Sequence, residues 1–364
     1  MNKILLIGGT GIAGRCILDY LKSSDLPVEI DVASRGNYKL PDSIGQIRLD
    51  VTDQKELRKA VGNYEMVIVA TGPFKKYGAS IHKACVENKV CCIDINDELS
   101  ACEQVFELRE QALENQTGIY TGMGLAPGLT TFLLQLSAER LSGPVTEAGL
   151  RICFGAGVRS GKGSIENIFS NFGKYIRVIR NNKPVTVNAS RQEKNSTFTF
   201  DPDHADLPLY YYSAPETYTL FLSPRFKHIQ RYDAAFYLQN LPAGLVRFLR
   251  SVKVFKKPIC RSISNAVYNQ QYKVSETPEN EKLVIVKTFV RDSESTVTCT
   301  ITHPSSFELT AAFCAIVTEY VLLNGSKPGV FSFEMLSPDS DQLVEALKKK
   351  GITISVEKER NETI

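Results

Sequence analysis

One short stretch limits the fold more than any other. Lys3-Ile4-Leu5-Leu6-Ile7 runs directly into Gly8-Gly9-Thr10-Gly11-Ile12-Ala13-Gly14, and a helical pattern, Ile12 to Lys22, begins before the glycines end. A strand, a tight turn and a helix start are thus compressed together. In the spacing G-x-G-x-x-G at Gly9, Gly11 and Gly14, the first glycine permits a tight turn, the second lets a diphosphate approach the backbone, and the third lets helix pack closely on strand. Backbone N–H groups and the positive end of the helix dipole then face the phosphates, so no lysine is needed to neutralise them. Gly8, Gly9, Thr10, Gly11, Ile12, Ala13 and Gly14 form the expected cradle of a dinucleotide.

Up to about Gly124, short apolar runs alternate with helical patterns, as repeated βαβ units require. Strands are expected at Lys3 to Ile7, Glu29 to Ala33, Gln46 to Leu49, Met66 to Ala70, Val90 to Ile95 and Gly118 to Thr121. Helices are expected at Ile12 to Lys22, Gln54 to Val61, Ile81 to Glu87 and Leu99 to Gln116. Beyond Gly124 the pattern changes. A helix at Gly128 to Leu141 precedes short strand-like segments at Gly149 to Phe154, Val185 to Val187, Thr217 to Leu222, Tyr268 to Ser275, Leu283 to Arg291 and Ser295 to Thr302. Asn181-Asn182-Lys183-Pro184 and Arg291-Asp292-Ser293 read as hairpin turns. Further helices are expected at Ile165 to Ile179, Phe307 to Leu323 and Ser340 to Lys350, then a strand at Ile352 to Val356 and a frayed polar tail, Glu357 to Ile364.

The fold class is therefore α/β: a Rossmann doubly wound parallel sheet plus a second mixed α/β domain. The 364 residues exceed what a single domain of about 150 residues needs. The pattern places the dinucleotide-binding domain at 1–124, a mixed α/β substrate domain at 125–325, and at 326–364 a C-terminal segment packing back towards the Rossmann domain.

Composition removes several alternatives. With 43 Lys and Arg against 40 Asp and Glu, the net charge of +3 gives no bulk attraction to nucleic acid. Nine cysteines without C-x-x-C spacing read as reduced thiols of a cytoplasmic protein, with Cys85 a small core residue. The apolar run Ile4 to Ile7 is too short for a signal-peptide core, and Thr310 to Leu323 carries Glu319 and reads as a core helix. His82, His204, His228 and His303 show no ligand spacing, so no metal site is expected. Ser160 to Ser164 lacks the frame of a phosphate loop.

The end of the second strand sets the expected cofactor. An NAD site favours a carboxylate there to accept hydrogen bonds from the ribose 2′-hydroxyl. This chain instead has Ser34-Arg35, a hydroxyl and a guanidinium that suit a 2′-phosphate, so NADP(H) is favoured over NAD(H). If Arg35 points only to water, that preference weakens while the dinucleotide site stays. Asp50 and Val51 are placed to border the adenine, and Asp53 to cap the helix at Gln54. Ligands of a doubly wound sheet lie outside the carboxyl ends of the strands. The fourth strand delivers Ala70-Thr71-Gly72-Pro73 and, beyond them, Tyr77; the fifth delivers Asp94 and Glu98; the sixth delivers Gly124 and Pro127-Gly128.

At these positions the chain resembles the saccharopine dehydrogenase-like oxidoreductases. The resemblance rests on Gly8 to Gly14, Gly72-Pro73-Phe74 with Tyr77-Gly78, Lys83-Ala84-Cys85, Ile93-Asp94 with Glu98, and Gly124 with Pro127-Gly128. Near the end, Lys327-Pro328-Gly329-Val330, Leu343 to Leu347 and Gly351-Ile352-Thr353 look like the closing segment of the branch that includes trans-acting enoyl reductases. It covers residues 1–140 and 308–356 well and 190–300 poorly. It implies an NAD(P)-binding Rossmann domain, a second domain that mediates dimerisation, and hydride transfer to a C=N (imine) or activated C=C bond of a small or medium organic substrate.

Two catalytic candidates follow. Tyr77 either donates a proton, with Lys75 or Lys76 nearby, or is a half-buried aromatic opening a helix. Asp94 either orients the substrate or bonds the amides of its own loop. Glu98 either joins Asp94 at the site or caps the helix beginning near Leu99. The competing expectation is a non-catalytic dinucleotide-binding scaffold or sensor whose basic, helical-period segment 241–257 docks a membrane surface or an acidic carrier protein.

Overall fold

In the computed structural model, residues 2–155, 173–239 and 283–361 are described, apart from Asp25, Asn37, Lys39, Asn195 and Ser337, together with Gly244 and Val246. The chain divides into two compact units, Met1–Thr131 with Phe307–Gly351, and Phe132–Ser306 with Ile352–Ile364.

The first unit is built on a seven-stranded sheet whose paired strands all run parallel. Its strands are β1 (Asn2–Ile7), β2 (Val28–Ser34), β3 (Gly45–Arg48), β4 (Met66–Val69), β5 (Cys91–Asp94), β6 (Gly118–Tyr120) and, from the far end of the chain, β16 (Gly329–Phe331). The order β3-β2-β1-β4-β5-β6-β16 reverses direction between β1 and β4, the switch point where a doubly wound sheet opens a crevice. The near-continuous burial of β1, β4 and β5 is what a sheet covered on both faces requires. Around it lie α1 (Ile12–Lys22), α2 (Gln54–Val61), α3 (Phe74–Tyr77), α4 (Ser80–Glu87), α5 (Leu99–Phe106) and α6 (Arg109–Glu114), so the helix expected over Leu99 to Gln116 is broken at Glu107-Leu108. The chain passes from the first unit to the second within α7 (Leu129–Ala138).

The second unit carries a mixed sheet ordered β17-β15-β14-β7-β13-β8-β9, with β12 (Tyr210–Tyr212) pairing β13. Its strands are β7 (Glu147–Phe154), β8 (Tyr175–Arg180), β9 (Lys183–Asn188), β13 (Arg231–Leu238), β14 (Val284–Arg291), β15 (Ser295–His303) and β17 (Ser355–Arg360). A separate two-stranded ribbon joins β10 (Thr197–Phe198) to β11 (Leu207–Pro208), and two short helices, α8 (Ala189–Gln192) and α9 (Glu216–Thr219), fill the connections. Only β7 and β13 pair in parallel; the other recorded pairs are antiparallel. The hairpin β8–β9 turns on Asn181 and Asn182, at φ +51° and +58°, the conformation that a two-residue hairpin turn demands and asparagine tolerates. The turn after β14 is held by Asp292, whose Oδ1 accepts from the amides of Glu294 and Ser295 at 2.8 and 2.7 Å. An ion network sits in this sheet: Asp233 meets the guanidinium of Arg151 at 2.7 Å and that of Arg180 at 2.8 Å.

Several expectations need correction. Thr217 to Leu222 is not a strand; it is α9 followed by a 3₁₀ turn, Leu220–Leu222. Tyr175 to Ile179, expected as the end of a helix, forms β8, because its β-branched alternation pairs with β9. The supposed tail from Glu357 to Arg360 is an edge strand on β15, and its all-polar sequence suits an edge. The boundary at 325 also moves. Helix α10 (Ser306–Asn324) lies in the first unit almost from its start, and the segment 326–364 divides, β16 joining the first sheet and β17 the second. By length and apolarity α10 matches a membrane span, but it is buried over most of its residues and Glu319 pairs with Lys350 at 3.2 Å, as in a core helix. The segment Ser160 to Ser164, the helical stretch expected before Gly173 and the strand expected at Tyr268 to Ser275 lie outside the described residues, as does 241–257 apart from Gly244 and Val246.

Candidate cofactor site

The glycine turn is shaped by two contacts that exclude side chains. Gly8 has φ +89°, and a Cβ there would stand 2.7 Å from the carbonyl oxygen of Ala70, so the ends of β1 and β4 meet backbone to backbone. At Gly14 an added Cβ would overlap the carbonyl oxygen of Gly8, which fixes how closely α1 lies on β1. The turn is closed by the Gly11 amide donating to Gly8 O at 3.0 Å, and α1 begins with the Arg15 amide donating to Gly11 O at 2.9 Å. The N-cap, Gly11, has no side chain to cap the helix, and the first turn holds no acidic residue, so nothing there competes with an anion for the helix start. Ile12 is 42% exposed beside it.

Next along the strand ends is the loop after β2. Ser34 is buried and its hydroxyl donates to Gly36 O at 2.7 Å, while Arg35 is exposed. Asp31, the only acid of the β2 sequence near this end, is committed elsewhere: it accepts from Tyr64 Oη at 2.7 Å and pairs with Lys3 at 3.4 Å. No carboxylate from β2 therefore stands at its carboxyl end. The amide of Leu49 donates to Ser34 O at 2.9 Å and brings Asp50 and Val51 alongside. Asp50 accepts from the amide and hydroxyl of Thr52, which hold its carboxyl below the usual range, with Arg35 and Lys76 adding attraction. Asp53 caps α2, accepting from the amides of Lys55 and Glu56. The Ala70 amide donates to Ile7 O at 2.8 Å, which sets Ala70, Thr71, Gly72 and Pro73 beside the glycine turn.

The two catalytic candidates have unequal surroundings. Tyr77 ends α3, is half-buried, and has Lys76 Nζ 5.1 Å from its ring centroid. Asp94 is fully buried at the end of β5. Its Oδ1 accepts from the amides of Asn96 at 2.8 Å and Gly122 at 2.7 Å, its Oδ2 accepts from His82 Nε2 at 2.7 Å, and its carbonyl accepts from the Met123 amide at 2.7 Å. Both carboxylate oxygens are thus engaged by the protein, the bonding that the loop role expects. Glu98 stands at the N-cap of α5 without capping it; its Oε2 accepts from the Lys75 amide in α3 at 3.3 Å instead. Burial pushes the Glu98 carboxyl up, with Lys75 pulling the other way. The loop after β6 closes on itself through the Leu129 amide, which donates to Gly124 O at 2.9 Å.

Sequence reasoning missed His82. It is 1% exposed on α4, and apart from Asp94 it has no other hydrogen-bond partner among the described residues: Nδ1 is buried and unpaired. The one signal in the sequence was a polar residue between Ile81 and Cys85 on the apolar face of a helix that packs on a sheet.

The seven-stranded parallel sheet, its switch point and the uncapped glycine turn define an α/β protein with a Rossmann dinucleotide-binding unit. Residues 4–119 match the saccharopine dehydrogenase NADP binding domain. Its cofactor is therefore NADP(H), in keeping with Ser34-Arg35. Among curated proteins, a bovine (Bos taurus) saccharopine dehydrogenase-like oxidoreductase is 33% identical over 86 residues, 23% of this chain and 20% of that protein. A trans-acting enoyl reductase of Mycobacterium leprae (strain TN) is 25% identical over 118 residues, 30% of this chain and 28% of that one. The matched stretches span between 20% and 39% of the curated relatives' own lengths. Saccharopine dehydrogenase (L-Glu forming) from Saccharomyces cerevisiae shares the fold, with a TM-score of 0.65 at 15% identity over 99% of this chain and 100% of that one.

Proposed function

We propose that the protein is an NADPH-dependent reductase that delivers hydride to a C=N or activated C=C bond of a small or medium organic substrate. One observation carries the reading: a glycine turn on which neither Gly8 nor Gly14 tolerates a Cβ leads into an uncapped helix start, next to a β2 end that offers Ser34 and Arg35 but no β2 carboxylate. The turn at Gly8 to Gly14 would hold the diphosphate, Ser34 and Arg35 the 2′-phosphate, Asp50 and Val51 the adenosine edge, and Ala70 to Pro73 the inner wall. When bound, NADPH supplies the hydride. The protein's share is to orient both reactants, exclude water and provide a proton. Tyr77, half-buried at the end of α3, is the proposed donor, holding its proton at Oη. The two relatives named above support the choice of bond class from either side: one is called saccharopine dehydrogenase-like, the other an enoyl reductase.

A second reading keeps the cofactor and drops turnover, with the protein docking a membrane or an acidic carrier protein through 241–257. What favours it is a Caenorhabditis elegans relative described as a lipid droplet localized protein, 26% identical over 133 residues, 32% of this chain and 31% of that one. We also infer a homodimer from the resemblance and a cytoplasmic location from nine cysteines that lack C-x-x-C spacing. The test is calorimetric titration with NADPH and NADH, followed by NADPH oxidation against cyclic imines and enoyl thioesters, with flotation on phosphatidylcholine vesicles in parallel. NADPH binding with turnover of either class supports the reductase. NADPH binding with flotation and no turnover across both classes favours the second reading, and no uptake of either nucleotide removes both.

A further inference from the structure

Burying a histidine for a single hydrogen bond is costly unless that bond does something. In α4, an apolar side chain at position 82 would pack beside Ile81 and Cys85 without leaving an unpaired ring nitrogen. What the one bond reaches is Asp94, and Asp94 is a junction. Its Oδ1 gathers the amides that start two different strand-end loops, Asn96 after β5 and Gly122 after β6, and its carbonyl takes the amide of Met123. A second buried acid extends the junction: Glu98, whose amide donates to Asn96 Oδ1 at 2.9 Å, reaches with its carboxylate to the Lys75 amide in α3, the helix that ends in Tyr77. Three loops at the carboxyl ends of β4, β5 and β6 are thereby tied to one another through side chains.

We infer that His82 is a positioning residue: by fixing the Asp94 carboxylate it sets the loops that follow β5 and β6, and through Glu98 the α3 turn that carries Tyr77. The geometry gives the reason. A carboxylate at a strand end rotates about its χ angles unless both oxygens are held, and the Oδ2 atom of Asp94 is held by His82 Nε2. Without that bond a buried anionic oxygen is left unpaired, and the carboxylate turns away from the amides of Asn96 and Gly122 to find another donor. The cradle at Gly8 to Gly14 is formed by different contacts and stays as it is. The functional part of this inference rests on the reductase reading; the structural part does not.

The experiment compares His82→Leu, His82→Gln and His82→Asn in the full chain. Glutamine places an N–H donor near the position of Nε2, whereas the asparagine nitrogen falls nearer Nδ1. In His82→Leu, amide hydrogen exchange at Asn96, Gly122 and Met123 should rise about tenfold or more, with the amides of β1 and β2 unchanged. His82→Gln should restore protection and His82→Asn should not. Binding of 2′,5′-ADP, a probe of the adenosine half of the site, should stay at the wild-type value in all three, while kcat with the imine or enoyl substrate falls in the Leu and Asn variants and KM moves little. Unchanged exchange in His82→Leu, a rise spread evenly over the whole sheet, or equal rescue by Gln and Asn would overturn the inference. Should the Leu variant fail to fold, the Gln and Asn pair gives the same comparison. A wild-type protein that takes up no NADPH would remove the reductase reading, and the exchange pattern alone would then decide the role of His82.

Discussion

Gly14→Ala distinguishes a cofactor cradle from a turn that merely packs. The added Cβ would overlap the carbonyl oxygen of Gly8 and lie 2.7 Å from Gly9 Cα and 2.8 Å from the Gly8 carbonyl carbon. All of these are backbone atoms, so no rotamer relieves the clash and α1 must move off β1. Overpacking of this kind costs ~1–3 kcal/mol, offset by ~1 kcal/mol of helix propensity that alanine returns relative to glycine. The net loss of stability is therefore small, ~0–2 kcal/mol, and Tm should fall by no more than about 8 °C, at ~2–4 °C per kcal/mol for a unit of this size. Affinity should suffer more. Amide bonds to a diphosphate are hydrogen bonds to a charged group, ~1.5–3 kcal/mol each. Losing two of them raises the Kd for NADPH by roughly 10²–10⁴-fold. Thermal unfolding and calorimetric titration on the same preparation measure both quantities. A variant whose Tm drops as expected while its NADPH affinity stays within a few-fold of wild type would refute the claim that the start of α1 holds the diphosphate.

Three further outcomes are expected. Arg35→Asp should weaken NADPH by ~10–150-fold, the worth of charge-assisted bonds to a phosphate, and NADH far less; equal losses in fluorescence titrations of the two would remove the argument for 2′-phosphate selectivity. Tyr77→Phe should leave the Kd for NADPH unchanged and lower kcat by ~10²–10⁴-fold; full turnover in steady-state assays would take Tyr77 out of the chemistry. Asp233→Asn leaves Arg151 and Arg180 without their shared anion and should cost ~3–5 kcal/mol in urea unfolding at pH 7. Burial pushes the Asp233 carboxyl up, but attraction by Arg151 and Arg180 outweighs it and holds the group below the ordinary carboxylate range. A lowered folded-state value means stability that is present above the unfolded pKa of ~4 and is lost as pH falls through the folded value. The gap between wild type and variant should accordingly be constant from pH 7 to about 4 and shrink below; a gap that is flat down to pH 2 would contradict the ion network.

How much of this was legible in the sequence differs between the two units for a physical reason. In the first unit β1, β4 and β5 are short apolar runs, and the signals act locally: Gly8 and Gly14 set the turn and Asp53 caps α2. In the second unit the sheet is assembled from segments far apart in the chain. The central strand β7 pairs with β13 and β14, more than eighty residues on, a pairing that no local pattern reports.

The candidate site divides in the same way. Its phosphate-facing half is backbone, and glycine spacing reports backbone directly. The other half is made of side chains that meet across loops, and no local rule pairs a histidine on the inner face of α4 with an aspartate at the end of β5. That pairing changes what Asp94 means. Read alone, a strand-end aspartate beside a cofactor crevice is a candidate acid; with Oδ2 on His82 and Oδ1 on two amides, both of its oxygens are engaged within the fold. That arrangement weights the proposed role of proton donor towards Tyr77, on the helix tethered by Glu98.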